Sequence, residues 1–215
     1  MKKTRLYLIR HGQSIGNLNC AFLGHTDLDL SEKGYLQAEL VSEYLKKLPV
    51  DRIYSSDLMR AYHTGLPTAE KLGLPIEKKK ELREIFAGEW EGQKFEVLEK
   101  KYPESYHIWC HDTARSHPDG GEKVTDLAAR FDAAVRAIAE ENEGKTVLIF
   151  AHATPIRIMA CLWSGKGLDH LEETPWPANV SVTCGEYENG KFSLLSYGVH
   201  DFLSPADTTR QEDEA

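Results

Sequence analysis

Apolar runs and amphipathic segments alternate along the chain. Residues 4–9 (TRLYLI) and 146–152 (TVLIFAH) are short and mostly apolar, which is typical of strands buried within a sheet. In 31–48 and 122–140, apolar side chains recur at three- and four-residue spacing, as they do along one face of a helix. Alternating strands and helices predict a mostly parallel central sheet covered by helices on both faces, a three-layer α/β/α fold.

The same patterns predict helix starts and smaller elements. Ser31 is expected to cap the first helix, and Thr154 and Pro155 are interpreted as the N-cap and first residue of the helix after the second apolar run. Ser55-Ser56-Asp57 is interpreted as a capping turn. The other predicted elements are a strand at 51–54, a helix at 58–72, a short strand near Ile76, and a hairpin of 180–187 with 191–197.

The segment 85–120 interrupts this alternation. It contains two tryptophans and three histidines but little strand pattern, so we interpret it as a small helical insertion. We expect residues 1–203 to form one domain, which is within the size range of a single α/β domain. The tail 204–215 is polar and acidic, so we expect it to be disordered.

Composition limits the partners and the location. The chain has 26 Lys and Arg against 34 Asp and Glu, a formal net charge of −8, which argues against binding to nucleic acid or an anionic membrane. No apolar run is long enough to cross a bilayer, and the first is too short for a secretory signal. The four cysteines are scattered without a C-x-x-C pair, so we expect a cytoplasmic protein with reduced thiols. The oligomeric state stays open.

Charged and imidazole side chains follow the two most apolar runs. Arg10 and His11 come directly after the first run, and His152 ends the second. Because the carboxyl ends of parallel strands meet at one edge of a sheet, both histidines are expected to face one crevice. A neutral imidazole can attack phosphorus, and a guanidinium group such as that of Arg10 or Arg60 binds phosphate oxygens. These residues indicate phosphoryl transfer.

Four motifs along the chain resemble those of the histidine phosphatase superfamily, also called the phosphoglycerate mutase-like family. They are RHG at 10–12 with Asn17, SSDLMRA at 55–61, LREIFAGEWEG at 82–92 and FAHATPIR at 150–157. The resemblance extends over nearly the whole chain to about residue 200, with the motifs in the expected order. It implies a phosphoglycerate mutase-like version of the fold and an enzyme that needs no metal or other cofactor.

The resemblance also implies a role for each matched residue. His11 would be the nucleophile that becomes phosphorylated, and Glu84 would be the proton donor and acceptor. Arg10, Arg60 and His152 would hold the phosphoryl group.

Four further positions are expected to contact the substrate. The resemblance implies that Asn17 helps to orient the phosphoryl group, and it places Leu23 and Gly24 where relatives meet the substrate. Many relatives have glycine where this chain has Ala153, so we expect an altered fit of the substrate there and retained activity.

The insertion also bears on the choice between hydrolase and mutase. Cofactor-dependent mutases of the resembled family carry a longer insertion that is rich in Arg and Lys, whereas residues 93–120 have only four such residues among several acidic ones. The favoured interpretation is therefore a phosphomonoester hydrolase that acts on small phosphorylated metabolites, such as sugar phosphates, phosphoglycerates or ribazole phosphate. The alternatives are a 2,3-bisphosphoglycerate-dependent phosphoglycerate mutase and a non-catalytic phospholigand-binding module.

The sequence also indicates what two histidines and two tryptophans of the insertion do. His107 and His111 have i, i+4 spacing, but no third metal ligand or H-E-x-x-H pattern accompanies them, so no metal site is expected. Trp90 and Trp109 are expected to pack within the insertion, although either could stack on a substrate ring.

Overall fold

A six-stranded mixed sheet runs through the centre of the computed structural model, which describes residues 2–209. Along the sheet the strands lie in the order β3-β2-β4-β1-β5-β6. The first four are parallel, and β5 and β6 form an antiparallel hairpin beside β1, as the sequence predicted. The strands are β1 (Thr4–Arg10), β2 (Arg52–Ser56), β3 (Ile76–Lys79), β4 (Thr146–Ala151), β5 (Val182–Glu188) and β6 (Lys191–Val199).

Seven α-helices and four short 3₁₀ turns connect the strands within residues 2–209. None of the helices in this part of the chain combines the length and the apolar character needed to cross a bilayer. The helices are α1 (Ile15–Leu18), α2 (Glu32–Leu45), α3 (Met59–Leu72), α4 (Phe95–Lys101), α5 (Pro103–His111), α6 (Val124–Glu141) and α7 (Ala153–Trp163). The 3₁₀ turns are Lys80–Leu82, Gly88–Trp90, Thr113–Arg115 and Leu168–Glu173.

Two hydrophobic cores lie on opposite faces of the sheet. In β4, Val147 and Ile149 pack with residues of α6 and α7, whereas Leu148 and Phe150 pack with residues of α2 and α3. This alternation follows from the two-residue period of a strand, which points successive side chains to opposite faces. All four side chains are fully buried, so the strand has no polar face. The predicted three-layer α/β/α fold is confirmed.

The predicted start of α7 is wrong by two residues. His152 is the N-cap, with extended backbone angles, and the helix begins at Ala153, so Thr154 and Pro155 already lie in its first turn. Proline is compatible with this position because the first N–H groups of a helix have no acceptor within the helix. The Thr154 N–H instead donates to the carboxylate of Glu84 at 3.2 Å. The predicted Ser31 cap of α2 is confirmed, since its Oγ accepts the Gly34 N–H.

The start of α3 also differs from the prediction. β2 continues through Ser55 and Ser56, so these serines belong to the strand, and Leu58 is the N-cap without a side-chain hydrogen bond. Ser56 Oγ still accepts the Leu58 N–H, at 3.4 Å. The strand extends because both serines are fully buried and Ser55 pairs with Phe150 of β4.

The segment 85–120 contains α4, α5 and two 3₁₀ turns and packs on the sheet through its aromatic residues. Trp90 is fully buried and lies against the rings of Phe22 and Trp109. At the other end of the chain, Gln37 of α2 donates to the Asp207 carbonyl and to Thr209. The described part of the expected tail, 204–209, is thus held against α2, and the remainder of 204–215 lies outside the described residues.

Candidate active site

The carboxyl ends of β1 and β4 bring the two histidines together. Arg10 pairs with Ala151 in the parallel register, so the next residues, His11 and His152, are neighbours at the same edge. Their ring centroids are 5.3 Å apart with planes at 62°. The structure therefore places both rings at one edge of the sheet, as the strand-end pattern predicted.

His11 has one defined tautomer. Its Nδ1 lies 2.7 Å from the carbonyl oxygen of Gly12, and because a carbonyl only accepts, Nδ1 carries the hydrogen. The lone pair is then on Nε2. Burial and the positive charges of Arg60 and Arg10 hold the pKa of His11 well below its ordinary value. The ring is therefore neutral at physiological pH, as a nucleophilic imidazole must be.

His152 is fully buried, and neither ring nitrogen has a hydrogen-bond partner among residues 2–209. Burial and the charge of Arg60 hold its pKa well below the ordinary value. Buried polar atoms are nearly always hydrogen-bonded in folded proteins, so these nitrogens are suited to a ligand. His152 does not itself line the cavity described below and reaches the site through its contact with the His11 ring.

Two buried arginines supply positive charge. Arg60, in the first turn of α3, is 1% exposed and donates to the carbonyl oxygens of Gly24 at 2.7 Å and Thr26 at 2.9 Å. Burial lowers its pKa to about 10, so it stays charged at neutral pH. Arg10 is 4% exposed and donates to the Pro177 carbonyl at 2.6 Å.

Arg60 has no carboxylate within ion-pair distance in the described part of the chain. A buried charge that lacks a counter-ion is costly. The buried charge of Arg60 therefore favours the binding of an anion in this site.

Glu84 is the carboxylate of the cavity. Its Oε1 accepts the Ile85 N–H at 2.8 Å, and its Oε2 accepts the Thr154 N–H in the first turn of α7. Three glutamates lie close to Glu84 in the sequence, Glu81, Glu89 and Glu91, but none of them lines the cavity. The geometry therefore favours Glu84 as the acid–base candidate.

A hydrogen-bonded loop supports Arg60. Glu91 accepts N–H groups from Thr26 at 2.6 Å and from Ala87 at 3.0 Å, which joins the loop after α1 to the start of the insertion. Gly24 lies in this loop with φ +53°, and a Cβ there would meet Glu91 Oε1 at 2.2 Å. The loop presents the carbonyl oxygens of Gly24 and Thr26 to Arg60, so Glu91 fixes the guanidinium indirectly.

The predicted substrate contacts also lie at the cavity. Asn17, Leu23, Gly24 and Ala153 all line it. Asn17 Oδ1 accepts from the N–H and the Oγ of Ser14, which orients the amide group and makes its NH₂ the group that can donate to a ligand.

The cavity has a volume of about 470 Å³ and combines a charged part with an apolar wall. Its charged lining residues are Arg10, Arg60 and Glu84. Five of its lining residues are aromatic and form what we call the aromatic wall: Phe22, Phe95, Tyr106, Trp109 and Trp176.

Sequence reasoning found only Trp109 of this wall, as a residue that could stack on a substrate. It missed Trp176, although the pattern Pro175-Trp176-Pro177 is a signal for a rigid aromatic residue. Trp90 belongs to the hydrophobic core instead.

The histidines of α5 lie outside the cavity. His107 and His111 are exposed and stack on each other with centroids 4.2 Å apart. Within residues 2–209, no group of three or more potential ligands is arranged to hold a metal ion. His117 donates to the Gly121 carbonyl at 3.1 Å and is not part of the site.

Known proteins resemble this chain in sequence and in fold. The model of the histidine phosphatase superfamily (branch 1) matches residues 6–200. Phosphoserine phosphatase 1 of Hydrogenobacter thermophilus is 34% identical over 164 residues, covering 76% of this chain and 78% of its own. Adenosylcobalamin/alpha-ribazole phosphatase of Escherichia coli is 30% identical over 193 residues, covering 89% and 93%. Among solved structures, Bacillus stearothermophilus YhfR superposes with a TM-score of 0.88 at 30% identity, covering 93% of this chain and 100% of that one.

Proposed function

The chain belongs to the histidine phosphatase superfamily and is a phosphatase of that family, and we propose that it hydrolyses small phosphomonoesters through a phosphohistidine on His11. The observation that carries the proposal is the state of His11: a neutral ring with its Nε2 lone pair free, close to two buried cations. This is the state that an imidazole needs to attack phosphorus.

In the first half-reaction, His11 Nε2 attacks the phosphorus atom and forms the N–P bond. The bond from phosphorus to the ester oxygen breaks, its electron pair stays on the oxygen, and the oxygen takes a proton from Glu84. Arg10, Arg60 and His152 hold the three non-bridging oxygens, where negative charge is greatest. The alcohol then leaves the cavity.

In the second half-reaction, water attacks the phosphohistidine. Glu84, now ionised, takes a proton from the water as the O–P bond forms, and the N–P bond breaks with its electron pair returning to Nε2. Inorganic phosphate and neutral His11 are regenerated. In this proposal the side chains perform each step and no metal ion is required, because Arg10 and Arg60 supply the positive charge.

The charges of the cavity favour hydrolysis over mutase activity. A mutase that uses a bisphosphorylated acid must hold a second phosphate, and in a buried cavity that phosphate needs its own cations. The only lysine or arginine side chains among the lining residues of the described chain are Arg10 and Arg60, which the first phosphoryl group occupies. The aromatic wall has no charged side chain that could bind a second phosphate group.

The relatives act on varied small phosphorylated compounds, as their names state: phosphoserine for one and alpha-ribazole phosphate for another. We propose a small phosphorylated metabolite for this chain too. None of the four cysteines forms a disulfide within residues 2–209, which supports the proposed cytoplasmic location.

Two assays test the proposal. His11→Ala should abolish release of phosphate from p-nitrophenyl phosphate, whereas His107→Ala, outside the cavity, should retain it. Retention of most activity in His11→Ala would show that His11 is not the nucleophile, whereas absence of phosphate release by the wild type would favour a phospholigand-binding module.

The second assay follows 3-phosphoglycerate with and without 2,3-bisphosphoglycerate. Phosphate release without isomerisation is expected. Fast conversion to 2-phosphoglycerate would establish the mutase alternative.

A further inference from the structure

The backbone on both sides of Trp176 is held by hydrogen bonds to three carbonyl groups. The Thr174 carbonyl accepts from Arg157 Nε at 2.6 Å, and the Pro175 carbonyl accepts from the hydroxyl of Tyr197. The Pro177 carbonyl accepts from Arg10. Prolines on both sides of Trp176 also fix φ at their own positions and restrict the residue before each. Little backbone freedom is left for the tryptophan to lose on binding a ligand.

Arg157 fixes the Trp176 ring itself. Its guanidinium carbon lies 4.4 Å from the ring centroid, in cation–π geometry. The Arg157 side chain is 3% exposed and also donates to Leu171, Thr113 and Glu172, so its position is determined by several bonds. Trp176 is thus preorganised by a residue that does not line the cavity.

Trp176 is joined to the phosphoryl-binding part of the site. Arg10 lines the cavity and bonds to Pro177, the residue after Trp176. The Trp176 ring lies 5.8 Å from that of Trp109, which lies 5.0 Å from Phe22, which lies 6.3 Å from Phe95. Four rings of the aromatic wall therefore form a continuous series, and this series begins next to an arginine that, in the proposed function, holds the phosphoryl group.

From this arrangement, which rests on the proposed function, we infer that Trp176 is a specificity-determining residue: the preferred substrates are phosphomonoesters of uncharged alcohols with a flat apolar group that packs on the aromatic wall. A rigid aromatic surface binds a flat group at small entropic cost. A charged alcohol, such as the zwitterionic serine of phosphoserine, would leave water with no oppositely charged side chain among the residues of the aromatic wall.

The test compares phosphate esters of primary alcohols, because their leaving groups have similar basicity. The substrates are 2-phenylethyl phosphate, n-propyl phosphate, phosphoserine and phosphocholine. We expect kcat/KM for 2-phenylethyl phosphate to exceed that for n-propyl phosphate by about tenfold or more, since an aromatic ring is removed from water. Phosphoserine, whose alcohol is zwitterionic, should be a poorer substrate than both of these esters.

Trp176→Leu should lower the ratio of kcat/KM values between 2-phenylethyl and n-propyl phosphate by about tenfold. Phe86→Leu is the matched control, because this aromatic ring is exposed and does not line the cavity, and its ratio should equal that of the wild type. If Trp176→Leu does not fold, as judged by circular dichroism, Phe95→Leu replaces it with the same expected direction.

Equal kcat/KM values for the phenylethyl and propyl esters would overturn the inference, as would a preference for phosphoserine or an unchanged ratio in the folded Trp176→Leu. A preference for phosphocholine would show that the wall binds a cation instead, which also contradicts it. In each of these outcomes phosphate is still released, so they differ from failure of the proposed function, in which no ester is hydrolysed.

Discussion

Lowering the pH from about 7.5 to 5 should destabilise the protein through its two buried histidines. Both His11 and His152 have a pKa well below 6.5 in the folded state, chiefly because burial disfavours the charged ring. Below pH 6.5 the unfolded chain therefore binds protons that the folded protein does not. Stability is fully present above this pH and falls as the pH drops through 6.5 and below.

The magnitude follows from the linkage relation. Each imidazole that is protonated only in the unfolded state lowers the free energy of unfolding by up to about 1.4 kcal/mol per pH unit, or about 2 kcal/mol at pH 5. The two histidines together contribute up to about 4 kcal/mol. His25 also has a lowered pKa and adds in the same direction. The pKa values of Asp29 and Asp57 are lowered from 3.8, so these carboxylates stay ionised across this pH range.

The assay is urea denaturation at pH 7.5, 6 and 5 for the wild type, His11→Asn and the control His107→Asn. In His11→Asn the loss of stability between pH 7.5 and 5 should be smaller than in the wild type by up to about 2 kcal/mol. His107 is exposed, so its variant should show the wild-type loss. Identical losses in the wild type and His11→Asn would refute the reasoning that this ring is held neutral by burial.

Two further predictions concern Glu84 and its surroundings. Glu84→Gln should lower kcat/KM, which reports phosphorylation of the enzyme, about 10²- to 10³-fold for alkyl phosphates but much less for p-nitrophenyl phosphate, whose leaving group needs little protonation; equal losses of kcat/KM would indicate a positioning role. Gly24→Ala should lower the free energy of unfolding by about 2 kcal/mol or more, because the Cβ meets Glu91 as well as a strained backbone. The control Gly73→Ala has φ +64° but open space and should cost about 1 kcal/mol in urea denaturation; an equal loss would contradict the steric argument.

The strand ends were predictable because their signal is local. The apolar runs of β1 and β4 mark buried strands, and parallel strands at the centre of a sheet bring the residues after them together. His11 and His152 could therefore be placed at one edge before any contact was known.

The start of α7 was not predictable from capping residues alone. The N–H group of Thr154 is satisfied by the carboxylate of Glu84, 70 residues away in the chain, and a search for local caps does not include such an acceptor. The same limit applies to Gln37, whose bond to Thr209 holds a tail segment whose composition predicts disorder.

The aromatic wall could not be predicted from local sequence patterns, because long-range packing forms it. Phe22, Trp109 and Trp176 come from three separate segments, and only the folded chain places their rings beside one another. Arg157 lies within a recognisable motif, but its contact with Trp176 follows from the path of the loop after α7. Local patterns thus placed His11 and His152 at one edge of the sheet, but they could not show which aromatic rings meet at the cavity.

The most direct test of the central claim is to trap the phosphorylated enzyme. Glu84→Gln should slow hydrolysis of the intermediate, so mixing it with p-nitrophenyl phosphate and quenching in alkali, in which phosphohistidine is stable, should leave one phosphoryl group per chain. Peptide mapping by mass spectrometry should locate that group on His11. A phosphoryl group on another residue, or turnover with no phosphorylated peptide and no burst of p-nitrophenol, would contradict the account.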